Sequence, residues 1–156
     1  MAREIETTID IHAPVVDIWQ ILTDLQRYGE WNPLVVQAAG SLTVGQRLEL
    51  AVQLPGSRPT HFSPMLIALV PEREIRWIGV LGVAALFAGE HSFLLIPLVN
   101  GVTKLKHSER FTGILPAFMG HKWHETVRRQ FESMNQALKQ RAEAPEKQFV
   151  RERSNS

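Results

Sequence analysis

The residues of this sequence whose spacing could support proton chemistry lie around one hairpin. His91 sits in the string G-E-H-S-F, and His107 and Glu109 sit in K-H-S-E-R. Between them, Asn100-Gly101 is a tight-turn signal, and a hairpin closed there sets His91 about opposite His107 or Glu109. Alternate side chains of a strand share a face, so Leu105, His107, Glu109 and Phe111 point one way and Lys104, Lys106, Ser108 and Arg110 the other. His91 has the parity of Phe93. Two imidazoles and a carboxylate on one inward face admit three chemistries. They could form a general acid–base pair, with Glu109 tuning a histidine. Two histidines and a carboxylate are formally a metal set. They could also form a satisfied polar cluster that bonds the sheet to a helix or to buried water. The balance favours the cluster, then catalysis, and no metal or other cofactor is expected.

A second histidine group, H-K-W-H-E at 121–125, lies at the start of a helical pattern. On a wheel His121 flanks the apolar stripe, His124 faces in and Glu125 faces out. They do not converge, and the H-E-x-x-H spacing of a zinc helix is missing. His124 alone could meet a ligand. The sequence has no cysteine, which removes thiolate ligands and a thiol nucleophile. It also has no Gly-rich phosphate loop and no G-x-S-x-G elbow.

These residues need a scaffold, and the pattern supplies one. Ile5, Thr7, Ile9 and Ile11 alternate with polar residues over Arg3 to Ile11, which predicts a strand. Pro14 opens a helix over Val15 to Leu25. Leu25 to Pro33 holds the breakers Gly29 and Asn32-Pro33, with Tyr28 and Trp31 among them, and predicts a short helical turn and loop. Strands follow at Leu34 to Ala39, Arg47 to Leu54, Thr60 to Val70, Glu74 to Ile78, Gly89 to Pro97 and Val102 to Phe111. Pro64 demands an edge or a bulge in the third of these. Gly79 to Ala88 is apolar without a period and reads as a greasy loop. Pro116 to Arg141 then carries Gly120, Trp123, His124, Val127, Phe131, Met134 and Leu138 in one stripe. A helix with such a face must lie on something. Consecutive strands joined by tight turns predict one antiparallel sheet of seven strands, curled around that helix.

The chain has 156 residues, 44% of them hydrophobic, and a formal net charge of +1. That length and composition fit a single domain over residues 1–141, followed by a polar tail over 142–156. The charge balance gives no basic stripe for nucleic acid. No signal-peptide pattern and no apolar run long enough to cross a bilayer are present, so the expectation is a cytoplasmic protein without an integral membrane segment.

Several strings then carry a resemblance. They are I-D-I-H-A-P-V-V-D-I-W, Y-G-E-W-N-P, the pair G-E-H-S-F and T-K-L-K-H-S-E-R-F-T-G, and F-E-S-M-N-Q-A-L-K. Over about residues 3–141 the chain resembles the START-like (SRPBCC) superfamily, most of all its polyketide cyclase/dehydrase and lipid-transport branch. The resemblance implies the α+β helix-grip fold of the birch-pollen allergen, with two short helices between strands one and two and an apolar cavity between sheet and long helix. Trp77, Phe93, Leu105, Phe111, Trp123, His124, Val127 and Phe131 are the expected ligand-binding wall. Members of such a fold differ in activity, so fold does not settle function. The first expectation is a binder of a small hydrophobic molecule: a lipid, polyketide or aromatic metabolite. The second is a cyclase or dehydratase-type enzyme in which His91 or His107 takes a proton and Glu109 orients it. The third is an interaction module using the 79–88 loop, whose exposed apolar residues would also suit a homodimer.

Overall fold

A computed structural model describes residues 3–83 and 86–144. The first strand, β1 (Arg3–Ile11), is followed by α1 (Val15–Thr23), a 3-10 turn and α2 (Tyr28–Trp31). Then come β2 (Val35–Gly40), β3 (Leu48–Val52), β4 (Thr60–Phe62), β5 (Met65–Val70), β6 (Glu74–Val80), β7 (Ala88–Pro97) and β8 (Thr103–Thr112). The chain closes with α3 (His121–Glu143). This is the α+β helix-grip arrangement, with the helical insert between the first two strands.

The strand count corrects the expectation of seven. Among the described residues there are eight, in a five-stranded sheet ordered β1-β8-β7-β6-β5 and a three-stranded sheet ordered β2-β3-β4. Pro64 is the cause. It has no N–H to give a ladder, so the predicted strand Thr60 to Val70 breaks there and its halves join different sheets. The two sheets remain stitched at the break. Leu48 N–H donates to the Pro64 carbonyl at 2.8 Å, Gly45 N–H to Leu66 at 2.8 Å, and Leu66 N–H to Gln46 at 2.9 Å. These bonds pair backbone groups across the corner where the sheets meet.

Alternation places the core. Ile5 and Ile11 from β1, Leu48 from β3, Leu66 from β5, Ile75 from β6 and Leu105 from β8 are fully buried. Helix α1 adds Ile18, Ile21 and Leu22. Tyr28 is also fully buried, with its hydroxyl donating to the Leu22 carbonyl at 2.6 Å, so it anchors the insert. Burial raises its phenol pKa and keeps it neutral.

Helix α3 differs from its expected span at both ends. It starts at His121, because Leu115–Ala117 forms a 3-10 turn around Pro116 and Gly120 takes the extended N-cap position. It runs two residues past Arg141, since Ala142 still finds cover in the core and Glu143 accepts the His12 N–H at 2.7 Å. The first residues assigned to the tail thus belong to the helix; the rest of the tail, from 145, lies outside the described residues. Toward its C-terminal half α3 buries Phe131, Met134, Asn135, Leu138 and Ala142.

Candidate functional site

The inner faces of β6, β7, β8 and α3 are filled in layers. Leu105, Leu95, Ile75, Met134 and Leu138 belong to a closed core. His107, Phe93 and Asn135, all buried, form the next layer. Beyond that layer packing gives way to a cavity of about 370 Å³. Trp77 and Gly79 of β6, Gly89 and His91 of β7, and Glu109 and Phe111 of β8 line it on the sheet side. Trp123, Val127, Gln130 and Phe131 of α3 line the helix side. The short sheet supplies Leu50, Val52 and Phe62, and Val80, Leu81, Phe87, Leu115 and Met119 complete the lining.

The expected wall residues divide accordingly. Trp77, Phe111, Trp123, Val127 and Phe131 line the cavity. Phe93 and Leu105 share their face but lie deeper, in the closed layers, and so are placed in the core and not on the wall. His124 is displaced for a different reason. Its Nε2 accepts from Arg3 Nη1 at 3.0 Å, and the same guanidinium donates to the Met119 carbonyl at 3.0 Å. It ties the start of α3 to β1, outside the cavity. Desolvation, then Arg3 and His121 nearby, lower its pKa.

The polar residues of the hairpin come together in a connected chain. The register pairs His91 with Glu109 and Phe93 with His107. Glu109 Oε2 is 3.3 Å from His91 Nδ1. His91 Nε2 is 2.8 Å from His107 Nε2, and His107 Nδ1 is 2.7 Å from Asn135 Oδ1. Asn135 Nδ2 donates to Thr7 Oγ1 at 2.8 Å. Aromatic rings enclose the chain. Trp77 stacks on His91 with centroids 4.9 Å apart and 4° between planes, and Phe131 stacks on His107 at 4.2 Å and 7°. The three expected candidates therefore play unequal parts. His91 and Glu109 stand on the cavity wall, whereas His107 is sealed beneath it with both ring nitrogens engaged. The facing nitrogens of the two histidines are bonded to each other and do not splay around an ion. Among the described residues no group of three or more His, Asp or Glu side chains has metal-holding geometry.

Three members of this site escaped the sequence reading. Asn135 lies four residues after Phe131, at the edge of the apolar stripe, and its helical spacing was the available signal. Thr7 shares its strand face with Ile5 and Ile9. Gly89 leaves the room that Glu109 occupies: a Cβ there would stand 2.6 Å from Oε1. The 79–88 segment, expected as a loop, is strand at both ends: β6 runs on to Val80 and β7 begins at Ala88. It still exposes Leu81 and Val83, while Leu81 and Phe87 line the cavity.

A curved antiparallel sheet gripping a long helix over an apolar cavity defines the helix-grip class of fold. The chain belongs to the polyketide cyclase/dehydrase and lipid transport family, whose model matches residues 2–143. Solved structures agree with the fold. A START superfamily protein from Mycobacterium smegmatis is similar at 22% identity and TM-score 0.72, over 90% of this chain and 97% of that one. The ZhuI aromatase/cyclase from Streptomyces sp. R1128 is similar at 18% identity and TM-score 0.75, over 92% and 94%. Truncated norcoclaurine synthase from Thalictrum flavum is similar at 16% identity and TM-score 0.67, over 90% and 92%. A comparison with curated proteins found no significant match. Among the described residues no helix is long and apolar enough to cross a membrane.

Proposed function

We propose that the protein binds a small, mainly apolar molecule, such as a lipid, polyketide or aromatic metabolite, in the cavity between sheet and α3. The observation that carries this reading is the cavity itself. A volume of about 370 Å³ lies within the range of small-molecule sites, and its wall is aromatic and aliphatic apart from a few polar groups. Membership of a family that includes lipid transport supports it. Binding of a neutral apolar dye such as N-phenyl-1-naphthylamine tests it. The wild type should enhance the dye's emission, and Val127→Trp, which fills the space beside Phe131, should abolish the enhancement while the far-UV circular dichroism stays unchanged. Equal enhancement by both proteins would sink the cavity reading.

A second reading has its own observation. His91 and Glu109 place an imidazole and a carboxylate side by side on the wall of an apolar chamber, which suits acid–base chemistry on a β-keto or aromatic precursor. The likeness to an aromatase/cyclase supports it. In this reading His91 and Glu109 act on the substrate, and His107 holds His91 in place. Glu109→Gln should then lower kcat on a poly-β-ketone substrate by 10²–10⁴-fold, the range for losing a general acid or base. Absence of any turnover by the wild type would end this reading and leave the first intact.

A further inference from the structure

The hydrogen-bond chain behind the cavity wall fixes where its protons lie. Thr7 Oγ1 gives its single proton to the His107 carbonyl at 3.2 Å, so toward Asn135 it can only accept. Asn135 Nδ2 donates to it at 2.8 Å, and Asn135 therefore presents Oδ1 to His107 Nδ1 at 2.7 Å. That ring nitrogen must carry a hydrogen. His107 is wholly buried and held neutral, so its Nε2 is a bare acceptor. His91 Nε2, 2.8 Å away, must then be the donor. This leaves His91 Nδ1 facing Glu109 Oε2 at 3.3 Å. Two lone pairs directed at each other in a part-buried site would repel, so a proton lies between them.

Imidazole is a stronger base than a carboxylate, so the proton rests on His91 and the pair is an imidazolium beside a carboxylate. Trp77, stacked face-on at 4.9 Å, offers its ring face to the cation. The titratable groups that meet His91 are Glu109 and His107, both from β8; β6 brings Trp77 and α3 brings Phe131, and neither titrates. The second carboxylate oxygen, Oε1, lies over Gly89 on the cavity wall. No protein donor reaches it among the described residues. No lysine or arginine lines the cavity either.

We propose that Glu109 Oε1, carried on an imidazolium–carboxylate pair with His91, is the polar anchor of the cavity, and that it accepts the hydroxyl of an otherwise apolar, uncharged ligand, a phenol or an alcohol. This rests on the binding reading above and narrows its ligand class. The paired imidazolium lets a carboxylate persist in an apolar chamber, where a lone one would be costly. An anionic ligand would meet a carboxylate with no lining cation to offset it.

The test compares 2-naphthol, 2-methylnaphthalene and 2-naphthoate by titration calorimetry at neutral pH. Bodies of similar size isolate the anchor. The naphthol should bind roughly tenfold tighter than the methyl compound, as one hydrogen bond to a charged acceptor implies, and the naphthoate weakest. Gly89→Ala pushes Oε1 aside and should erase the naphthol preference while leaving the methyl compound bound. His91→Phe combined with Glu109→Leu should erase it too. Long-range ¹H–¹⁵N spectra of the wild type should show His107 protonated at Nδ1 alone and His91 at both nitrogens. Equal binding of naphthol and methylnaphthalene, or a His107 protonated at Nε2, overturns the anchor and leaves the cavity reading standing. If no naphthalene binds at all, the cavity reading fails and the anchor with it.

Discussion

Burial, then the neighbouring His91, pushes the His107 imidazole well below its ordinary value of 6.5, against the pull of its bond to Asn135. The sign of the linkage follows. Below pH 6.5 an unfolded His107 takes up a proton that the folded one refuses, so protons draw the equilibrium toward unfolding. The stabilisation is present in full above that value and is lost as the pH falls toward the folded pKa. Urea midpoints measured from pH 7.5 to 5 should fall for the wild type and fall less steeply for His107→Phe. That variant keeps the stack on Phe131 but strands Asn135 Oδ1, so its baseline should be lower by about 1–3 kcal/mol. Equal slopes would mean that other groups govern the acid limb. At this scale the sequence was partly legible. Strand parity put His91, His107 and Glu109 on one face, because period two is strict in a hairpin. It could not say that the cavity stops above His107, since depth along a strand depends on what the opposing helix brings. Nor did it reveal Asn135, whose polar side chain looks like a helix surface residue until its partner is known.

At the scale of elements, α3 does two jobs along its length. Leu138 and Met134 are fully buried in closed core, while Trp123 is half-buried at the cavity wall. Leu138→Ala should cost about 2–5 kcal/mol by denaturant unfolding, and leave dye affinity unchanged in the protein that remains folded. Trp123→Ala should cost less stability and change dye affinity more. If both variants lost affinity in proportion to stability, the division would be wrong. Helix and strand types were legible because the apolar spacing of each element is long and regular. The boundaries that failed did so for local reasons. Pro64 divided a strand between two sheets, and Gly120 delayed α3 by one turn after Pro116. Each residue was visible, but its consequence depended on the sheet pairing and the N-cap geometry.

For the whole molecule, the seam between the sheets and the grip of α3 leave room where a tighter fold would have none. An occupied cavity stabilises the folded chain by mass action, by about 2.7 kcal/mol when free ligand is at a hundredfold over its Kd. Protein purified from cells and then stripped of apolar compounds by organic extraction of the denatured chain and refolding should melt at a lower temperature than protein never stripped. Adding back the extract should restore the difference. Identical melting curves, together with native mass spectra showing only the bare chain, would count against occupancy. The family was legible in the sequence because its strings mark the turns and packing points of the fold. The ligand was not, because apolar walls of many compositions enclose similar volumes.

The face-to-face contact of Trp77 with His91 has an optical consequence. A protonated imidazole lying on an indole quenches its fluorescence by accepting an electron from the excited ring, and a neutral one does so far less. At 4.9 Å and 4° the pair is placed for this. With Trp19, Trp31 and Trp123 replaced by Phe, Trp77 would be the sole emitter. Its emission should be dim beside a charged His91 and brighten in His91→Phe. Equal Trp77 emission with and without His91→Phe, in that single-tryptophan background, would mean that the stacked ring carries no charge. The protein thus carries a built-in gauge of its own buried charge, readable in solution without any label.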